Sequence, residues 1–246
     1  MLLWATAALL LSSTNGALLE QANGLLVVHR FAEAKALAAS VLATEPDNAT
    51  ALKIKGNAEY FLSDFEQSIS TLITLLERHP EDADGAYMLG RIYYQEAHLD
   101  QAIGQFERAV RLDPTAYKAW DNLGLCWEAK GDMRKATAHF LKAIDLVEKD
   151  HPDYDLEHAF AAAAKAANRN PQSARNFYIG AKALEKLGKT DLCINWLQRS
   201  VALDANYSEP EYLLARVYAK VGETEKAEAA RQRFLEIKAH EPGKRR

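Results

Sequence analysis

Residues 85–114, GAYMLGRIYYQEAHLDQAIGQFERAVRLDP, and residues 118–147, KAWDNLGLCWEAKGDMRKATAHFLKAIDLV, are one pattern written twice. Gly56, Gly90 and Gly124 lie 34 residues apart, as do Pro46, Pro80 and Pro114. The same interval separates Ala102 from Ala136, Phe106 from Phe140 and Ala109 from Ala143. A fixed period of this length marks a repeat array, in which one unit cannot bury its own apolar face and stacked neighbours bury it together. Within each unit, Leu89, Tyr93 and Phe106 and their counterparts Leu123, Trp127 and Phe140 recur at helical spacing and form the stripe to be buried. Leu112-Asp113-Pro114 stops the second helix, because proline disfavours helical geometry in the residue before it. Gly90 and Gly124 fall mid-helix, where glycine costs about 1 kcal/mol against alanine. Close approach of the partner helix offsets that cost, with Ala102 and Ala136 as the small surface opposite.

With Leu-Gly, an aromatic, Ala, Phe and Ala in these places, the two stretches resemble tetratricopeptide repeats. The likeness covers nearly the whole chain and is loosest at its two ends. It implies an all-α fold: a right-handed superhelical solenoid of helix-turn-helix hairpins that holds another polypeptide. No sustained two-residue alternation argues for a sheet.

Taken in order, residues 1–16 carry an apolar run from Leu2 to Leu11 and are either a secretory signal or an N-terminal helix. The run is too short to span a bilayer, so no integral membrane span is expected. Degenerate repeat 1 covers 17–48, and repeats 2, 3 and 4 cover 49–82, 83–116 and 117–150. At 151–173 the period fails: His151-Pro152 breaks the chain, and LEHAFAAAAKAANRNP supplies a single helix. Its Ala159, Ala163 and Ala166 fall on second-helix positions, so this half-repeat lacks its first helix and should kink the array or break its register. Repeats 5 and 6 cover 174–207 and 208–241, and 242–246 form a basic tail.

A net charge of -4 with well-mixed charges argues against nucleic acid as partner. Cys126 and Cys193 read as small buried hydrophobes, without CxxC or a histidine at ligand spacing. His151 and His158 flank Asp153, Asp155 and Glu157, a set that reads as a solvated linker rather than a metal site. No nucleophile elbow, phosphate loop or HExxH motif occurs, so no enzyme activity, metal or cofactor is expected.

The family geometry implies that the first helices line a concave face. Its candidate peptide-binding residues are Lys53, Asn57 and Tyr60 in repeat 2, Tyr87, Arg91 and Tyr94 in repeat 3, and Lys118 in repeat 4. Arg175, Tyr178 and Lys182 follow in repeat 5, and Tyr212 and Arg216 in repeat 6. Tyrosine supplies contact area at low entropy cost and arginine pairs carboxylates in a fork. Clamp-type members that hold chaperone carboxylate tails place Lys and Asn four apart, as Lys53 and Asn57 are, and Lys118 fits their third helix. Met88 and Asn122 stand where that pattern has Asn and Arg, which argues against the clamp. The expectation is a non-catalytic scaffold taking a peptide or helix of a partner protein, resembling exported bacterial proteins of this kind, periplasmic or extracellular, with a cytoplasmic setting as the alternative. The other reading is a structural part of an envelope or secretion assembly that binds through its convex face or ends. The sequence leaves the partner's identity and the oligomeric state open.

Overall fold

A computed structural model describes the backbone of residues 2–146 and 156–240, with side chains from residue 14 onward. The described residues form thirteen α-helices and no strand. They divide into two compact units, Met1–Ala119 and Trp120–Arg246, with the boundary inside α7 (Tyr117–Ala129).

Unit 1 stacks α1 (Leu2–Val27), α2 (Phe31–Leu42), α3 (Ala49–Phe61), α4 (Phe65–Arg78), α5 (Ala83–Gln95) and α6 (Leu99–Leu112), each packed on the next. The first helices also touch one another, α1 on α3 and α3 on α5. Their starts are fixed by side-chain caps: Asn48 accepts from the Ala51 amide and Asp82 from the Gly85 amide. Such caps satisfy amides that have no partner inside the helix. The core is continuous through Leu72, Leu75, Leu89, Ile92 and Phe106, all fully or almost fully buried.

The mid-helix glycines are seats for side chains of the following helix. A Cβ built on Gly90 would lie 2.8 Å from the Phe106 ring, and one on Gly56 would lie 2.9 Å from Leu72. The surface nearest the glycine is therefore the ring itself. Ala102 is fully buried in the same core.

α1 runs unbroken through position 16. Asn15, inside the segment read as either a secretory signal or an N-terminal helix, is buried and donates to Thr44 Oγ1 at 3.1 Å and Glu45 Oε1 at 2.8 Å. These bonds tie α1 to the turn after α2.

Unit 2 holds most of α7 and then α8 (Met133–Leu146), α9 (Leu156–Arg169), α10 (Ala174–Lys186), α11 (Thr190–Leu203), α12 (Ser208–Lys220) and α13 (Thr224–His240). From α8 onward each helix packs on its successor. The seats recur, with Gly124 under Phe140 and Gly180 under Trp196. Ser173 caps α10, and the Ser200 hydroxyl donates to the Ala174 carbonyl at 2.8 Å, fastening α11 to the start of α10.

The alanine-rich stretch forms one helix, α9, and α8 packs on both α9 and α10. Elsewhere that place belongs to a first helix, as with α1 against α2 and α3. A second helix by sequence frame thus stands where a first helix would be. The expected chain break at His151-Pro152 and the basic tail lie outside the described residues.

Candidate protein-interaction faces

In unit 1, four of the sequence-selected residues converge. Asn57 and Tyr60 on α3 meet Arg91 on α5 around a closed seam that also includes Met88. The Arg91 guanidinium sits 4.7 Å from the Tyr60 ring centre and 5.8 Å from that of Tyr87. Guanidinium over an aromatic face is attracted by the ring quadrupole and held flat. Arg91 is half-buried and has no ion pair with any described residue, so its charge is oriented but not neutralised.

The remaining residues of unit 1 are placed differently. Lys53 reaches forward to Asp82 at 3.1 Å and Asp84 at 3.4 Å. Burial opposes its charge, but the bonds to the two aspartates outweigh this and hold its pKa above the ordinary lysine value. Since Asp82 also caps α5, Lys53 fastens one repeat to the next. Tyr87 and Lys118 line a cleft of about 270 Å³ at the start of α7, with Asp84 and Asp113 beside them. Tyr94 is half-buried.

In unit 2, Arg175 and Tyr178 on α10 line a cleft of about 760 Å³ together with Tyr207 and Glu209. Tyr178 packs edge-on to Tyr207 at 5.3 Å, and burial, aided by nearby acids, raises the pKa of both phenols, that of Tyr207 to about 12. Lys182 lies 5.8 Å from the Tyr178 ring centre and is ion-paired with Asp145, which lines the same cleft. Burial and the neighbouring Lys186 push Lys182 down to about 8, and contact with Asp145 works against that loss of charge. Tyr212 and Arg216 line a separate cleft of about 460 Å³ between α12 and α13, where Tyr212 meets Phe234 at 5.3 Å. Arg216 pairs with Glu185 at 3.0 Å.

Three selected cations, Lys53, Lys182 and Arg216, are thus engaged by carboxylates, and only Arg91 and Arg175 are unpaired among the described residues. The engaging acids lie 29, 37 and 31 residues away, so spacing within one helix could not reveal them. Cys126 and Cys193 are buried free thiols whose pKa burial pushes up to about 12, which leaves them unreactive at neutral pH. Among the described residues no group of three or more His, Cys, Asp or Glu is placed to hold a metal. His151, Asp153 and Asp155 lie outside them.

Helical hairpins stacked through glycine seats and capped first helices define a helical-repeat protein. The family model described as "Tetratricopeptide repeat" matches residues 55–97 and 87–151. Residues 55–151 thus carry tetratricopeptide repeats, a fold that suggests a protein–protein interaction scaffold.

Over 81 residues it is 32% identical to the "Probable UDP-N-acetylglucosamine--peptide N-acetylglucosaminyltransferase SEC" of Arabidopsis thaliana, covering 33% of this chain and 8% of that protein. Over 56 residues it is 44% identical to the "Tetratricopeptide repeat domain-containing protein PYG7, chloroplastic" of the same plant, covering 23% of this chain and 19% of that one. The chain thus spans only a small part of these relatives, and the likeness to the transferase carries no transferase activity with it. The solved structure of Pseudomonas aeruginosa pilF is similar in fold, with a TM-score of 0.54 and 15% identity over 95% of this chain and 94% of that one. No described helix is long and apolar enough to cross a membrane.

Proposed function

We propose that this protein is a non-catalytic scaffold whose first-helix faces each take up an extended segment or a helix of a partner protein. In unit 1 the face is built from Asn57, Tyr60, Tyr87 and Arg91, with Lys118 at its edge. In unit 2 it is built from Arg175, Tyr178 and Tyr207, with Tyr212 in the separate cleft beyond. The observation that supports this best is Arg91, held over two tyrosine rings from neighbouring repeats with no carboxylate among the described residues to neutralise it. An oriented, unpaired guanidinium beside aromatic area has the chemistry of an interface anchor, where arginine and tyrosine carry much of the binding energy. It favours a partner segment that brings a carboxylate or a backbone carbonyl to Arg91 and an apolar side chain to the rings.

The test is capture of partners from the source cell by the full chain and by a Tyr60→Ala, Tyr87→Ala, Arg91→Ala triple variant, followed by measured affinity for each partner found. Loss of about 2 kcal/mol or more of binding is expected for the triple variant. Equal affinity in the two proteins would sink the first-helix reading and leave assembly through other surfaces.

A further inference from the structure

Where α8 stands in for a first helix, the packing leaves a second cleft of about 340 Å³ among α8, the end of α9 and the start of α10. Its basic lining is Arg134, Lys135, Arg169 and Arg175, and among the described residues no carboxylate lines it. In a chain whose net charge is -4, this is a local reversal of sign. Arg134 and Arg175 make no ion pair with a described residue, and Arg169 has only a 3.4 Å contact to the Gly131 carbonyl. Lys135 lies 3.7 Å from Asp132 and 3.6 Å over the Trp127 ring. Between the cations the floor is apolar, formed by Met133, Ala138 and Ala166.

We propose that this cleft is a docking site for an acidic peptide segment of a partner protein, one that alternates carboxylates with apolar side chains. The carboxylates meet the guanidinium groups and an apolar side chain covers the floor. The size is at the small end of ligand sites, which suits a few residues of peptide rather than a folded surface. The site goes beyond the first-helix faces, because it is built mainly from α8 and α9. It also gives the interrupted repeat a use, since the cleft forms where α8 packs on both α9 and α10.

The probe is a fluorescent peptide of alternating glutamate and leucine, titrated with the full chain and read by anisotropy, beside a glutamine-leucine counterpart. Saturable binding of the acidic peptide is expected, weakening as salt is raised. At least about tenfold loss is expected for the combined Arg134→Glu, Arg169→Glu variant, since truncating or reversing interface charges acts on this scale. Both side chains are exposed, and a Gln pair at the same positions keeps the test valid should the Glu pair fail to fold by circular dichroism. The Tyr60→Ala, Tyr87→Ala, Arg91→Ala variant should bind the probe as wild type does, so failure of this site and failure of the first-helix reading are told apart. Three results would each overturn the proposal: equal affinity for the glutamine peptide, no loss in the Glu and Gln variants, or no saturable binding. Displacement by inorganic phosphate at the peptide's own concentration would do the same, by reducing the cleft to a simple anion site.

Discussion

The two units close the same turn with different residues. After the first helix of each hairpin the chain passes through a left-handed residue: in unit 1 these are His29, Ser63 and Ala97, with φ of 59°, 64° and 59°. In unit 2 they are Gly131, Gly188 and Gly222, with φ of 81°, 71° and 81°. The hydrogen bonds are the same in both: Asp64 N to Glu59 O at 2.9 Å in unit 1 matches Asp132 N to Trp127 O at 2.9 Å in unit 2. The helix ending, and not the residue, sets the geometry, and the residue sets only its cost. An L-residue with a Cβ bears roughly 1 kcal/mol there that glycine avoids. Unit 1 carries that strain three times and is compensated elsewhere. One compensation is visible in Glu59, fully buried, 2.8 Å from Lys55 and 3.6 Å from Lys35, and accepting from the Thr71 hydroxyl at 2.8 Å. The buried acid of unit 2, Glu211, has Arg233 at 2.7 Å, and that arginine is half exposed.

This difference predicts unequal losses when each acid is removed. Glu59→Leu strips Lys55 of its carboxylate, while Lys35 keeps Asp64 at 3.0 Å, and should cost about 3 kcal/mol in urea unfolding. Glu211→Leu frees an arginine that returns to water and should cost about 1 kcal/mol. Equal losses would mean that the buried network of unit 1 is no special compensation.

The glycine seats give the next largest effect and reverse the ranking of the units. A Cβ on Gly124 would lie 2.5 Å from the Phe140 ring, and one on Gly180 closer still to Trp196, which is itself wedged against Phe160 and Phe177. In unit 1 the Gly56 seat holds the tip of Leu72, a side chain that can turn aside. Gly180→Ala and Gly124→Ala should therefore each cost about 2 kcal/mol through overpacking. Gly56→Ala should be nearly neutral, as overpacking and the gain in helix propensity offset one another. Gly104, exposed in α6 with nothing within 4 Å of its would-be Cβ, should gain up to about 1 kcal/mol as alanine. A loss at Gly104 as large as that at Gly124 would break the seat explanation.

Much of the architecture was legible because period and packing are the same fact: Gly90 and Phe106 recur as Gly124 and Phe140 since each pair is one contact. What lay in that contact was not legible, since periodicity places the ring and the alanine equally well opposite the glycine. The left-handed turns of unit 1 were hidden for a related reason, as His29, Ser63 and Ala97 carry no glycine to advertise them. Among the site residues, Arg91 and Tyr60 were selected separately, and the structure brings them together because the repeat aligns α3 with α5. It could not foresee that Lys53 is bound to Asp82 and Asp84, because one side-chain spacing within a helix says nothing of the next helix's cap. The cleft between α8 and α9 was equally out of sight, since it arises from α8 reaching α10 across the half-repeat.

The smallest effect tests the opening comparison directly. If the turn geometry is imposed by the fold, exchanging the residues between units should exchange their costs. Ala97→Gly should stabilise by about 0.5–1 kcal/mol, the relief of a left-handed Cβ less the greater freedom glycine gives the unfolded chain. Gly222→Ala should destabilise by a similar amount, and because both sites are exposed, no packing change confuses the reading. Urea midpoints at constant slope would measure both. A stabilising Gly222→Ala would show that the turns of unit 2 relax to another conformation, and that the two units do not share one turn after all. Opposite signs of similar size would instead establish that unit 1 keeps its strained turns at a cost met by its core, leaving room to stabilise it without touching either candidate face.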